Sequence, residues 1–159
     1  MKPQWNSNPH PDDPEYAFNR ALKYLSLRAR STQEIKDYLL RKKFEPQAIS
    51  QAINKLIELK FLNDEAFGES FTRSRQVYKG KSRYFVRYEL KQKGLEPETI
   101  EKVLASSQED LQTAKEFIAR KKRIYSNLDK KEFKEKMIRL LSSRGFAYDI
   151  IKNALSNNE

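Results

Sequence analysis

The residues best suited to chemistry lie in one basic block, residues 71–94, which reads FTRSRQVYKGKSRYFVRYELKQKG. It holds eight basic side chains and one acidic, a net charge of +7. Arg83, Arg87 and Lys91 are spaced i, i+4, i+8, so a helix stacks them in one row while Val86 and Leu90 face inward. Arg73, Arg75, Lys79 and Lys81 come from the preceding helix and its turn and extend that row into a patch, with Tyr84 and Tyr88 beside it. Interleaved cations and aromatics suit stacking on unpaired bases, or cation–π contact with an arginine of a partner protein. Phe71 and Phe85 read alternatively as ordinary core, a reading open to Tyr84 as well. A second basic set, Arg120, Lys121, Lys122 and Arg123 followed by Lys130, Lys131, Lys134 and Lys136, reads as a loop and a helix face that continue the positive surface.

Catalysis is poorly supplied. There is no Gly-rich phosphate loop and no HExxH, and the absence of cysteine excludes disulfides, thiolate zinc sites and cysteine nucleophiles. The single histidine, His10, falls in a proline-rich stretch, residues 1–14, expected to be a flexible tail. Most Asp and Glu residues sit in helix caps, first turns or i, i+4 partnership with Lys and Arg, where structure alone explains them. The expectation is a non-enzyme with no cofactor and no metal.

The elements that must position these side chains recur at a fixed interval. Residues 39–49 read LLRKKFEPQAI, residues 90–100 read LKQKGLEPETI and residues 141–151 read LSSRGFAYDII, both steps being 51 residues. Ile35, Val86 and Met137 align upstream, and Ile53, Leu104 and Leu155 downstream. Each copy is an amphipathic helix, a stop at Lys43, Gly94 or Gly145, an apolar Phe44, Leu95 or Phe146, and a second amphipathic helix. Ser31 with Glu34 and Asp129 with Glu132 are capping boxes, and Pro46 and Pro97 fit the first turn of a helix. Asn63 or Asp64 caps a helix on which Phe67, Phe71, Ser74 and Tyr78 share a face, Gly80 breaks it, and Ser82 opens the next. No segment alternates with period two. A unit this small buries little alone, so the fold expected is all-α: three tandem three-helix repeats in an elongated, curved array. The repeats span residues 15–62, 63–107 and 108–155, with a short tail at 156–159.

A formal charge of +10 and a pI near 9.7 predict attraction to polyanions. The excess is placed unevenly: residues 1–70 carry +1, the block above +7, residues 95–118 carry −4 and residues 119–159 carry +6. A membrane-surface role is disfavoured because the positive helices carry too little exposed apolar stripe. With no long apolar run and no signal-peptide pattern, a cytoplasmic protein is expected.

The run Phe61 to Leu95, FLNDEAFGESFTRSRQVYKGKSRYFVRYELKQKGL, resembles the central signature of the RecX family of recombination regulators. That signature is a Phe/Leu-Asp-Asp turn, a helix with Phe-x-x-x-Phe, an Arg, a Gly-containing basic turn and a helix ending Leu-x-x-Lys-Gly. The likeness covers about residues 15–155 and coincides with the three-unit period. Two positions depart from it: Asn63 stands where an acidic residue is usual, and Lys43 replaces the glycine of the first stop. The resemblance implies a regulator that lodges in the groove of the RecA–DNA filament and restrains strand exchange, ATP hydrolysis and co-protease activity in recombination, repair and the SOS response. It implies the RecA filament as partner; single- and double-stranded DNA is a further candidate partner, and a monomer is expected. A sequence-nonspecific nucleic-acid-binding protein is the alternative.

Overall fold

Polar side chains set where the helices begin. In a computed structural model describing residues 8–156, Asp13 accepts the N–H groups of Glu15 and Tyr16 (2.8 and 3.2 Å) ahead of α1, Pro14–Leu25. Ser31 accepts from Glu34 N–H at 3.2 Å, and the Glu34 carboxylate accepts from Ser31 N–H at 3.1 Å, opening α2, Thr32–Arg41. Pro46 starts α3, Pro46–Glu58, at the position where a missing N–H matters least. Asn63 caps α4, Asp64–Arg73, through Ala66 N–H at 3.0 Å, and Ser82 caps α5, Arg83–Gln92, through Phe85 N–H at 3.2 Å. Then come α6, Pro97–Ala105, and α7, Asp110–Ile124; α8, Lys130–Ser142, opens on the Asp129/Glu132 capping box, and α9, Tyr148–Ser156, ends the described chain. No strand occurs among the described residues.

These helices form three tandem three-helix units, α1–α3, α4–α6 and α7–α9, each around its own apolar cluster. Ile35, Val86 and Met137, the positions one period apart, are all completely buried, as are Leu39, Leu90 and Leu141. Burying each such side chain contributes roughly 1.5–3 kcal/mol, so the repeated pattern is the repeated core.

The joints between units repeat as well. Ser31 Oγ donates to Lys93 C=O at 2.6 Å, and one period later Ser82 N–H donates to Arg144 C=O at 3.1 Å. Both partners shift by 51 residues (82 − 31 and 144 − 93). Next to each, the first N–H of the helix is accepted by the first residue of a later helix: Thr32 by Asp64 and Arg83 by Asp110, both at 2.7 Å. Each of the first two units thus seats the N-terminus of its second helix on the helix stop of the following unit. The first joint is tightened by Glu34, which takes Lys93 Nζ at 2.9 Å and Arg28 at 2.8 Å. Burial pushes this carboxyl up, but hydrogen bonds from Arg28, Lys93 and the Ser31 backbone outweigh it and hold it near 2.

One helix departs from the simple pattern. After Arg73, α4 runs into a π-helical turn, Ser74–Tyr78. The wider turn rotates the chain, so Tyr78 leaves the face it was expected to share with Phe67 and Phe71 and is 77% exposed, whereas Gln76 turns inward and donates to Gln108 C=O at 2.8 Å. The tail expected over residues 1–14 falls partly outside the described residues. From Asn8 onward it lies against the first unit: Pro11 C=O accepts from Glu45 N–H at 2.8 Å, and His10 meets the Tyr16 ring edge-on. Of the C-terminal tail at 156–159, only Ser156 is described, and it completes α9.

Candidate functional site

The basic block is brought together on and around α5, but much of its charge is already met. Arg75 Nε and Lys81 Nζ both donate to Glu89, at 2.8 and 3.0 Å. Arg83 lies between units, donating to Ser107 C=O at 2.7 Å, Ser107 Oγ at 3.1 Å and the Glu109 carboxylate at 3.0 Å. Arg87 holds Glu101 in a two-pronged pair at 2.8 and 3.1 Å; that hydrogen bond raises the guanidinium's pKa and lowers the carboxyl's. The acidic block at 95–118 has folded onto the basic one. Of the expected row, Arg83 is therefore a joint, Arg87 is engaged, and Lys91 is exposed with no ion pair among the described residues.

What remains on the surface of α5 is a different stripe. Tyr84 and Tyr88 are 70% and 59% exposed, and with Lys91 they stand at i, i+4, i+7, one face of the helix. Arg87 borders them, and its pair with Glu101 is itself exposed, so an incoming phosphate or carboxylate can compete for the guanidinium at little cost. Arg73 and Lys79 are exposed on the preceding helix end and turn, with no ion pair among the described residues. The stripe exposes two aromatic rings and an ammonium group to solvent.

The second basic set is split. Arg120 to Arg123 are not a loop but the last turns of α7, where the helix dipole favours cations. Arg120 donates to Val77 C=O across the joint, and Lys121 lies 5.4 Å from the centre of the Phe117 ring. Lys122 is exposed on the same turns. Lys130 and Lys134 are exposed on α8, and Lys134 borders a cleft with Tyr148 and Leu155. They do not merge with the α5 stripe through any ion pair or hydrogen bond among the described residues. No group of His, Cys, Asp and Glu with metal-holding geometry occurs among the described residues, and no described helix is long and apolar enough to cross a membrane.

The near-zero net charge of the first unit hides Arg20, Arg30, Arg41, Lys42 and Lys43, none of them in an ion pair among the described residues. The one visible signal was Arg41-Lys42-Lys43, three consecutive cations at a helix end.

Three family models match in order along the chain: "RecX, first three-helix domain" at residues 17–56, "RecX, second three-helix domain" at 63–104 and "RecX, third three-helix domain" at 108–155. The chain is similar to the regulatory protein RecX of Bacillus velezensis, 34% identical over 150 residues that cover 93% of this chain and 57% of that one. It is similar also to that of Bacillus subtilis, 33% identical over the same shares. This chain therefore spans little more than half the length of these curated relatives. A crystal structure of RecX from Lactobacillus salivarius superposes with a TM-score of 0.75 at 27% identity, over 91% of this chain and 96% of the other. With three family models matched in order along its length, the chain belongs to the RecX family.

Proposed function

We propose that the chain is a non-enzymatic, cytoplasmic regulator that acts as a monomer, lies in the groove of the RecA–DNA filament and restrains recombinase, ATPase and co-protease activity. Family membership supports a regulatory role. The observation that carries the binding mode is the α5 stripe of Tyr84, Tyr88 and Lys91, exposed on the middle unit of an array whose joints hold the units in fixed register. A partner with its own helical repeat is met by such a surface at several points, which raises avidity without one strong site.

The pairing inside the basic block favours a protein–DNA filament over bare DNA as the target. Cations already in ion pairs release fewer counterions from DNA, so the nonspecific reading loses part of its driving force. Single-strand-dependent RecA ATPase, measured with the parent chain and with a Tyr84→Ala/Tyr88→Ala/Lys91→Glu variant, tests the proposal. The parent should lower the rate and the variant should not, with the helical spectrum of both unchanged. Parallel titrations at about 0.15 M salt, where exposed charges are screened beyond about 8 Å, should show tighter binding to filament than to bare strand. Equal affinities would leave nonspecific nucleic-acid binding as the better account.

A further inference from the structure

Cations of the first unit that are distant in sequence converge on a cleft of about 540 Å³ at the free end of α2, within the size range of small-molecule sites of roughly 300–1,000 Å³. One wall is aromatic. Tyr24 and Tyr38 are stacked, ring centres 3.9 Å apart and planes within 11°, with the Arg30 guanidinium 3.9 Å above Tyr24 and Lys42 Nζ a loose 5.8 Å from Tyr38. The other wall is cationic: Arg20, beside the Tyr16 ring, with Arg41, Lys42 and Lys43 at the mouth.

Two donors in this cleft have no acceptor. Arg20 Nε and Asn8 Nδ2 are buried with no hydrogen-bond partner, an arrangement that is costly unless a ligand supplies the oxygen. None of these cations is in an ion pair among the described residues, and Asp37, on the same helix as Tyr38, accepts from Gln33 Nε2 at 2.7 Å. This contrasts with the basic block of the middle unit, where carboxylates meet most of the cations. The C-terminal dipole of α2 opposes an anion here, but the gathered side-chain charges exceed it.

We infer that the cleft binds one nucleotide unit of a single-stranded nucleic acid. Its phosphate takes the Arg20 guanidinium and the Lys42 and Lys43 ammonium groups, and meets the buried Arg20 Nε and Asn8 Nδ2 once those side chains turn outward. Its base lies on Tyr38, from which Lys42 swings aside to meet the phosphate. An aromatic wall has no use for inorganic phosphate, and a duplex keeps its base faces stacked and out of reach, so the strand is the source that fits both walls.

The test uses the isotope-labelled full chain, followed by NMR with no RecA present, so its outcome is independent of the filament proposal. Oligothymidylate, thymidine 5′-monophosphate, inorganic phosphate and a blunt duplex are titrated in parallel. The oligomer and the mononucleotide should both shift the signals of Arg20, Tyr24 and Tyr38, the oligomer at lower concentration. Lys42→Glu/Lys43→Glu, both exposed positions, should weaken oligomer binding by roughly tenfold or more. Tyr38→Leu should weaken it about fivefold or more while leaving phosphate shifts unchanged. Phosphate shifting the whole set as strongly as the mononucleotide would reduce the cleft to an anion site and overturn the inference. So would shifts confined to Tyr84, Tyr88 and Lys91, or a double variant that binds the oligomer like the parent. Because the parent's own shifts locate the site, a variant that failed to fold would not shield the inference.

Discussion

At the scale of single residues, the helix stops show two different demands on one position. Lys43, Gly94 and Gly145 all have positive φ, at 63°, 77° and 84°. A Cβ on Gly94 would stand 2.4 Å from Gln33 Cβ, and one on Gly145 2.7 Å from Ser82 Oγ, because each of these stops is pressed against the preceding unit. Lys43 is exposed, and among the described residues no helix start is laid against it, so a side chain fits and only the backbone strain remains. Left-handed backbone costs an L-residue about 1–2 kcal/mol, offset in part by the extra freedom a glycine gains when unfolded. Lys43→Gly should therefore raise the urea midpoint, by up to about 1 kcal/mol of stability. Gly94→Ala meets both strain and overlap and should lower stability by about 1–3 kcal/mol. A fall in the midpoint of the Lys43 variant would mean that the exposed stop carries no strain.

At the scale of elements, α5 separates joint from surface along one helix. Reversing Arg83 places a carboxylate beside Glu109 and Asp110 and removes three hydrogen bonds, and Asp110 is already a carboxyl that burial pushes up. Arg83→Glu should cost about 2–4 kcal/mol in denaturant titrations, while Lys91→Glu should stay within about 0.5 kcal/mol of the parent. Similar losses from both would show that the two faces of α5 had been misassigned. The helix starts were legible in the sequence because caps, capping boxes and first-turn prolines act within four residues, and so was the 51-residue period of the core. The fate of Arg83 was not, because its partners lie 24 and 26 residues on, in the segment whose opposite charge read as a separate block. Nor was the π-helical turn: nothing in SRQVY breaks helical spacing, and the rotation that exposes Tyr78 emerges only with Gln76 seated on Gln108. The Tyr24–Tyr38 stack was hidden for the same reason, as it joins two helices through a loop that the sequence pattern does not shape.

At the scale of the whole molecule, three small cores are coupled through two joints, and coupling of this kind is a sum of unit stabilities and neighbour terms. The second joint has a side-chain clamp of its own in Arg144. Arg144 donates from Nε to Lys79 C=O at 3.2 Å, stacks 4.6 Å from the centre of the Phe117 ring, and passes its own carbonyl to Ser82 N–H. Arg144→Ala keeps the carbonyl bond and loses the clamp, about 1–3 kcal/mol of coupling. That loss should fall on α7–α9, which then open without waiting for the rest, while α1–α3, joined through Ser31, Asp64 and Glu34, keep their protection. Native-state hydrogen exchange resolved by residue reads this directly: protection in Ile118, Met137 and Leu141 should drop while that of Ile35 and Leu39 holds. A uniform fall across all three units would mean that the chain opens as a single cooperative body and that its joints, though repeated, are no weaker than its cores.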